Sequence, residues 1–587
     1  MAALTGWRQL VFGERAGRTA LVLGAVLALP FCATGLFMDD YLHQALLEGF
    51  KDLGSGDRWH LFTFASGKPE DMRPLIENGP FPWWTLPTLR FSFLRPLTAL
   101  IANVEHGLIG ENAPLMHLHS IAWYVALIAV VTRLYRRALG PSLLVPLAAV
   151  LFAIDDAHAI AVGWIANRNA LISTVFALLA VLAHVRWRED GWRWGLPLSL
   201  AAVVLGLAGG ESAVAALAYL GAWELTRGPG GVAGRVKALL PMTVVGLGYV
   251  ALYSWSGSGA LGSEIYIDPL REPLAFLSRA PAKALALTGA QFLGATADLW
   301  MVKVALRPVL VLAGVVGLVA VVGLLRALWS TLTDAERSGL RWLSLGAALS
   351  VIPVLATFPL NRLLLMPSVG GSVLLAAVLV HGWRSASRFV RLGARVLVVP
   401  AVLLPLVAWP ANAVIYRLGA DLSRREAMET GLSDETLGGR VFVFLAPDPA
   451  AVLYPGMHRL LRGKPPPKAW ISISFAAYAH RLTRVSEREL EVEVLDGRMM
   501  ESVFEQLVRS TAYPVPLGHR VQLNGASVEV IGLDEGLPNR LRVTFDEAAE
   551  RSGFTFGQWE GERLMPLVLP AVGQSVVLPK PSGLLSL

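Results

Sequence analysis

Long apolar runs, most of them close to the length of a membrane span, alternate with short polar segments between residues 19 and 415. An α-helix needs about 20 mainly apolar residues to cross the hydrocarbon core of a bilayer. The runs that we expect to cross are 19–38, 115–132, 142–154, 169–185, 195–208, 213–226, 238–255, 303–325, 342–358, 363–382 and 396–415. This pattern predicts a polytopic α-helical membrane protein with about eleven transmembrane helices.

Arginine clusters follow every second run, as the positive-inside rule expects of cytoplasmic loops. The clusters occupy 133–137, 186–193, 227–237, 326–341 and 384–395. Arg8, Arg15 and Arg18 precede the first run and therefore predict a cytoplasmic N-terminus. Phe37-Met38-Asp39 offers no small-residue cleavage site, so we expect the first run to be a retained helix and not a signal peptide.

Polar stretches on the predicted non-cytoplasmic side lack a spanning run. Residues 39–94 are rich in Trp, Pro and Gly, and Trp83-Trp84 are expected to anchor this loop at the membrane interface. Residues 95–110 are apolar but short, which predicts an interfacial helix with Glu105 and His106 on its wet face. Residues 264–301 are predicted to form another outer loop with interfacial helices.

The pattern changes near Leu432, where strand-like runs replace the long apolar ones. We predict strands at 441–445, 469–475 and 490–495, a hairpin around Asn524-Gly525 and a helix over 500–509. The expected domains are a transmembrane domain, 1–430, with its first outer loop over 39–114, and a mostly β domain, 431–587. Topology predicts that the β domain is extracytoplasmic, with an accessory role in recognising the acceptor or a partner.

Composition agrees with membrane insertion. Hydrophobic residues make up 54% of the chain and charged residues 16%, against roughly 25% charged in ordinary globular domains. Mean hydropathy is +0.53. The net charge of +7 does not indicate nucleic-acid binding, because the arginines lie in short clusters between apolar runs. The only cysteine, Cys32, excludes an intrachain disulfide. We expect an integral protein of a bacterial inner membrane.

The predicted topology collects polar residues at the outer helix ends, although charge at membrane depth is costly. These residues are Asp39, Asp40, Arg95, Asp155, Asp156, His158, Arg168, Glu211 and Arg362. Arg95, Arg168 and Arg362 depart from the positive-inside pattern, and a guanidinium grips a phosphate with paired donors. This set suits sugar transfer from a lipid-phosphate donor, because a carboxylate takes the acceptor proton and fixed cations stabilise the leaving phosphate.

Each cluster also has a structural interpretation. The pair Asp39-Asp40 can simply end the first helix in interfacial water. Glu211 can equally be a functional residue or a polar residue of the turn between two helices. Asp155, Asp156 and His158 fit a structural turn better than a divalent-cation site, although carboxylate and imidazole both bind metals. We assign no metal ligands and no cofactor, and a divalent cation stays an open alternative.

Several motifs occur in the order that one family of membrane enzymes shows. They are Asp39-Asp40, Leu94-Arg95-Pro96-Leu97-Thr98, Met116-His117-Leu118-His119-Ser120, the stretch from His158 to Asn169, Gly209-Gly210-Glu211-Ser212, and the stretch from Asn361 to Gly370. Over residues 18 to 415 the chain resembles the membrane glycosyltransferases of C type (GT-C). The nearest resemblance is to O-mannosyltransferases with tetratricopeptide repeats and their bacterial relatives.

This resemblance implies a polyprenyl- or dolichyl-phosphate sugar donor and an extracytoplasmic active site. It implies Asp40 or Asp39 as the base, with a slight preference for Asp40, and Arg362 as a ligand of the donor phosphate. The chain departs from the family at three places. Gly210-Glu211 stands where the family has Lys-Glu, Asn361 to Leu365 replaces Glu-Arg-Tyr-Leu-Tyr, and the repeat array is absent. These departures leave the acceptor open among protein, lipid and glycan.

Two other functions fit a polytopic chain. Charged residues within a membrane also mark the substrate path of a transporter or flippase, but here they lie at one face and no inverted repeat with broken helices is evident. A non-catalytic assembly scaffold, whose outer domain binds a partner, is the third interpretation.

Overall fold

The computed structural model describes residues 16–50, 53–474, 476–561 and 563–581. Arg8 and Arg15, which carry the N-terminal orientation, lie outside the described residues, as do Phe475 and residues 582–587. The chain forms two compact units. The first unit comprises residues up to Gly35, Leu94–Ser256 and Pro269–Arg417, and the second comprises Leu36–Phe93, Gly257–Asp268 and the chain from Leu418 onward. The first outer loop is thus grouped with the C-terminal region.

The first unit is helical. Its α-helices of eight or more residues are Ala16–Ala28, Pro96–Ile109, Ala113–Leu139, Leu144–Ile154, Arg168–Asp190, Gly195–Gly209, Ala215–Arg227, Gly231–Trp255, Pro273–Leu293, Arg307–Leu328, Asp334–Val354, Pro367–Gly382 and Arg388–Val396, and Leu404–Met428 begins in it. A buried apolar core runs through this unit. The predicted helical body is confirmed.

Among the described residues, five helices are long and apolar enough to cross a membrane. They are Ala113–Leu139, Ile165–Asp190, Gly231–Trp255, Val304–Thr331 and Arg388–Arg425. A sixth span results if Leu144–Ile154 and Asp156–Gly163, which meet at a 44° bend, count as one. Shorter apolar helices are Gly17–Ala33, Gly195–Gly209 and Pro367–Gly382. The apolar helices agree with an integral membrane protein, and the count of eleven spans stays a prediction.

Residues 264–301 differ from the predicted loop with interfacial helices. Most of this stretch forms one 21-residue helix, Pro273–Leu293, that packs closely on Arg307–Leu328. A Cβ on Gly314 would lie 1.9 Å from the Leu285 carbonyl oxygen, so glycine permits the contact between the two helices. The sequence predicted helices in this segment but not one long packed helix, because Lys283 interrupts the apolar pattern. The Lys283 ammonium is buried and donates to the Leu355 carbonyl at 3.1 Å.

The described residues of the second unit form three β-sheets. A three-stranded antiparallel sheet joins Thr63–Ser66, Arg90–Ser92 and Gly259–Leu261. A six-stranded antiparallel sheet has the order Ser575–Leu578, His480–Arg484, Glu489–Val494, Leu537–Phe545, Ala526–Asp534 and Arg520–Leu523. A four-stranded mixed sheet has the order Arg563–Pro566, Phe554–Glu560, Arg440–Val443 and Ala469–Ser472. The short helices of the second unit are Asp39–Leu47, Pro69–Glu77, Asp434–Leu437, Ala450–Leu453 and Pro455–Leu460.

The C-terminal strands follow the predicted pattern, but the predicted helix does not. The hairpin around Asn524-Gly525 pairs Leu523 with Ala526, and Gly525 takes a positive φ of 97° that glycine adopts without strain. The helix predicted over 500–509 is wrong, since the segment holds only the 3₁₀ turn Glu505–Leu507. The Ser502 hydroxyl accepts the Glu505 amide proton, a local bond that competes with a longer helix.

Trp83 and Trp84 are core residues of the second unit. Their exposed fractions are 2% and 1%, and they pack with the strands of the four-stranded sheet. The Trp83 indole donates to the Ile473 carbonyl at 3.0 Å, and the Trp84 indole donates to the Glu505 carbonyl at 3.2 Å. The expectation that this pair anchors a loop at the membrane interface is therefore wrong.

Candidate functional site

The two acidic residues of the first outer loop open the short helix Asp39–Leu47 in the second unit. Carboxylates in the first turn are stabilised by the positive end of the helix dipole. The preceding residue, Met38, has φ 47°, a left-handed conformation that costs free energy in a non-glycine residue. The turn into this helix is thus strained at the position where the sequence predicts the catalytic pair.

Asp39 and Asp40 have different surroundings. Asp40 is 1% exposed, and its carboxylate accepts the Phe37 amide proton at 2.9 Å, which closes the turn around Met38. Asp39 is half-buried, and its Oδ1 accepts the Tyr454 hydroxyl proton at 3.3 Å. Asp40 therefore has a structural task in the turn, and Asp39 is the more accessible of the two carboxylates.

In the first unit, Arg95 and Glu211 form a bidentate ion pair. Arg95 Nε donates to Glu211 Oε2 at 3.0 Å, and Nη2 donates to Oε1. Arg95 precedes the helix Pro96–Ile109, whose Thr98 hydroxyl donates to the Gly209 carbonyl at 2.7 Å and fixes the two elements together. Although burial raises the pKa of Glu211, the charge and hydrogen bonds of Arg95 outweigh it and hold that pKa below its usual value.

Arg168 lies in a separate, buried network. Its guanidinium is 4% exposed and donates to Glu105 at 2.6 Å, to the Ser120 hydroxyl at 2.8 Å and to the Met116 carbonyl at 2.7 Å. His119 Nε2 accepts from the Trp123 indole, so His119 Nδ1 carries the proton that Glu105 accepts at 2.8 Å. Protein groups thus accept hydrogen bonds from the Arg168 guanidinium, and its role as a phosphate ligand stays a prediction.

Glu105 corrects one expectation from the sequence. The residue was predicted on the wet face of an interfacial helix, but it is 6% exposed. Burial raises the pKa of its carboxyl, and the hydrogen bonds from His119 together with the charge of Arg168 outweigh burial and lower that pKa. His117 points elsewhere, with its Nε2 2.8 Å from the Gly35 carbonyl oxygen, as two residues at this spacing cannot share one helix face.

Asp155 lies at the 44° bend between Leu144–Ile154 and the following short helix. Its carboxylate accepts the Ala157 amide proton at 3.1 Å and the Ser368 hydroxyl proton at 2.6 Å, and its Oδ2 is 3.8 Å from His158 Nε2. His158 is fully buried, whereas Asp156 is half-buried. The contacts of Asp155 are those of a structural turn that also connects two helices.

Arg362 differs from the other outer-face arginines. Its guanidinium carbon lies 5.1 Å from the centroid of the Trp164 ring. Within the part of the chain that the structure describes, this guanidinium makes no hydrogen bond or ion pair. Its charge acts at longer range on two carboxyls: it lowers the pKa of Glu211, and it offsets part of the rise that burial imposes on the pKa of Asp298. Arg362 is half-buried, and its N–H groups can donate hydrogen bonds to a ligand.

Sequence reasoning missed several residues of these clusters. Glu105, Ser368, Gln291, Trp164, Asp298 and Tyr454 each contact or surround a predicted residue. Trp164 and Ser368 lie inside the quoted motifs, so the motifs could have indicated them. Gln291 and Asp298 lie in the segment that was interpreted as a loop, and Tyr454 lies in the domain treated as accessory.

The described residues contain no group of three or more His, Cys, Asp or Glu side chains that could hold a metal ion. The divalent cation stays an alternative from the sequence.

Comparison with known proteins finds structural likeness only. Neither the protein-family models nor the curated proteins give a match. The oligosaccharyltransferase of Archaeoglobus fulgidus, tethered to an acceptor peptide, matches with a TM-score of 0.42 and 11% identity over 78% of this chain, and the match spans 64% of that protein. The same enzyme, AglB, in complex with an inhibitory peptide and a dolichol-phosphate matches with a TM-score of 0.43 and 11% identity, covering 78% and 65% of the two chains.

ArnT from Cupriavidus metallidurans, bound to undecaprenyl phosphate, matches with a TM-score of 0.36 and 14% identity over 80% of this chain and 90% of that one. Both enzymes are glycosyltransferases of C type, the family that the sequence motifs resemble. At these scores the likeness carries no argument about activity, substrate or site.

Proposed function

We propose that this chain is an integral-membrane glycosyltransferase that moves a sugar from a polyprenyl-phosphate-linked donor to an acceptor hydroxyl. In this proposal the protein lies in a bacterial inner membrane, with a cytoplasmic N-terminus, about eleven spans and the C-terminal domain outside the cytoplasm. The donor sugar is a hexose, as the resemblance to O-mannosyltransferases implies. Asp39 is the general base, and Arg362 binds the donor phosphate.

The observation that carries the proposal is the state of Arg362. Arg362 is half-buried, and its guanidinium finds no acceptor among the described residues, so its N–H donors can pair with a ligand. The Trp164 face supports the cation and leaves its in-plane donors open. A phosphate oxygen pair matches this fork of donors. Arg95 and Arg168, in contrast, already hold carboxylates, so we assign them to the support of neighbouring helices.

The choice of Asp39 as base rests on accessibility. A general base must reach the acceptor proton, and Asp40 is buried with its oxygen committed to the Phe37 amide. In the reaction the acceptor oxygen forms a bond to the anomeric carbon while the bond from that carbon to the phosphate oxygen breaks. The acceptor proton moves to Asp39, and the lipid leaves as a phosphate whose developing charge a guanidinium stabilises.

The test uses the full chain in lipid nanodiscs with labelled polyprenyl-phosphate hexoses and a membrane extract as the source of acceptors. We expect release of polyprenyl phosphate together with a labelled acceptor. Asp39→Asn is expected to lower this rate about 10²- to 10⁴-fold, the usual contribution of a general base. Full activity in Asp39→Asn would overturn the assignment of the base.

The 44° bend at Asp155 favours a second candidate function, that of a transporter or flippase. Discontinuous helices form the substrate sites of many transporters, and the 44° bend places a carboxylate at such a break. Reconstitution in sealed vesicles distinguishes the two functions. Movement of the labelled lipid between leaflets without a covalent product would support transport and contradict sugar transfer.

A further inference from the structure

Side chains of the C-terminal region contact the first-loop helix Asp39–Leu47 inside the second unit. Tyr454 donates its hydroxyl proton to Asp39 Oδ1 at 3.3 Å. Tyr41, on the same short helix as Asp39, contacts the ring of His458, one turn after Tyr454; the two rings are tilted by 41° with their centroids 3.9 Å apart. The Tyr41 and Tyr454 ring centroids are 6.2 Å apart. The helix that bears the candidate base is therefore held by side chains from a region that sequence analysis treated as accessory.

We propose that Tyr454 is a positioning residue, which orients the Asp39 carboxylate and favours its ionised form for proton transfer. This inference rests on the proposed role of Asp39. A phenol hydrogen bond to one carboxylate oxygen restricts the orientation of the carboxylate. It also stabilises the charged carboxylate more than the neutral acid.

Tyr454 is suited to donate at every physiological pH. Its side chain is 8% exposed. Burial, and then the negative charges of Asp39, Asp40 and Asp448, raise the pKa of Tyr454 well above its usual value. The phenol therefore keeps its proton and acts as a donor.

Other titratable and charged groups lie near this contact. Burial, with Arg462 and Arg424, lowers the pKa of His458 to about 3, so this ring is neutral when Asp39 is ionised. Arg424, Arg462, Asp421 and Asp40 act on the neighbouring Tyr41 through charge alone.

The first readout is the pH dependence of sugar transfer. Tyr454→Phe removes the donor and keeps the ring, so the ionised form of Asp39 loses one charge-assisted hydrogen bond. Because the base acts only when ionised, the acid limb of the rate profile is expected to move to higher pH by about one unit. The control is Tyr478→Phe, which removes a shorter phenol–carboxylate bond, 2.8 Å to Glu505, elsewhere in the same unit. This control is expected to leave the acid limb of the rate profile at the same pH as in the wild type.

The second readout is thermal stability, which needs no turnover. Tyr454→Phe, Asp39→Asn and the double variant form a cycle that isolates the coupling between the two side chains. A coupling different from zero is expected. A rate lowered equally at all pH values, or a cycle without coupling, would overturn the role of Tyr454. If Asp39→Asn retained full transfer, the base itself would be wrong, whereas a lost rate in Asp39→Asn with an unmoved limb in Tyr454→Phe would reject Tyr454 alone.

Discussion

At the residue scale, adjacent carboxylates in one short helix have separate tasks. Sequence motifs predicted that one of Asp39 and Asp40 is the base, and the resemblance slightly favoured Asp40. The buried bond from Asp40 to the Phe37 amide favours Asp39 instead. This distinction depends on which way each carboxylate turns at the helix N-terminus, so a sequence motif of two identical residues could not supply it.

Asp40→Asn is expected to destabilise the protein more than Asp39→Asn. The substitution weakens a buried, charge-assisted hydrogen bond that holds the strained Met38 turn, a loss of about 1.5–3 kcal/mol. Thermal unfolding of the two variants in detergent measures the difference. Equal midpoints would contradict the structural role of Asp40.

Arg168→Gln is expected to lower stability by about 3–5 kcal/mol, because it leaves the Glu105 carboxylate buried without its cation. Arg362→Gln is the matched control, since Arg362 contacts the Trp164 ring but makes no hydrogen bond or ion pair among the described residues. Chemical or thermal unfolding compares the two variants. A larger loss of stability in Arg362→Gln than in Arg168→Gln would contradict the assignment of Arg168 to structural support and of Arg362 to ligand binding.

At the element scale, apolar periodicity predicted most helices well and failed where polar residues are buried. Lys283 concealed the helix Pro273–Leu293 because its carbonyl partner, Leu355, is distant in sequence. Glu105 likewise suggested a wet face because Arg168 and His119 come from other helices. Tertiary partners of this kind override a local pattern, whereas the Asn-Gly hairpin is local and was predicted correctly.

Gly314→Ala is expected to weaken the packing of Pro273–Leu293 on Arg307–Leu328. Its Cβ would lie 1.9 Å from a backbone carbonyl oxygen, which cannot move without shifting the helix. Gly323→Ala in the same helix is the control: apart from its own helix turn, no described atom lies within 4 Å of the added Cβ, and alanine favours a helix by about 1 kcal/mol over glycine. Thermal midpoints should fall for the first variant and hold or rise for the second. The reverse order would contradict this helix pairing.

At the scale of the whole molecule, the chain is grouped differently from the predicted domains. Residues 36–93 and 257–268 belong to the same compact unit as the C-terminal strands. A domain boundary at residue 430 separates Trp83 and Trp84 from their hydrogen-bond partners, which lie 390 and 421 positions later in the chain.

Truncation near residue 431 is therefore expected to expose Trp83 and Trp84 and to abolish a folded first loop. Tryptophan fluorescence and protease sensitivity of the purified chain measure this. The point variant Trp83→Ala, which removes a core side chain at a cost of about 3–5 kcal/mol, serves as the milder comparison. A truncated chain with a protease-resistant first loop and full sugar transfer would contradict the shared core.

Binding of lipid phosphate tests the central claim most directly. Native mass spectrometry of the full chain in detergent, with added polyprenyl phosphate, compares wild type, Arg362→Ala and the control Arg341→Ala, an exposed arginine of a predicted cytoplasmic cluster. We predict a bound polyprenyl phosphate in wild type and in Arg341→Ala, and its loss in Arg362→Ala. Equal binding by all three, or binding by none, would contradict the account.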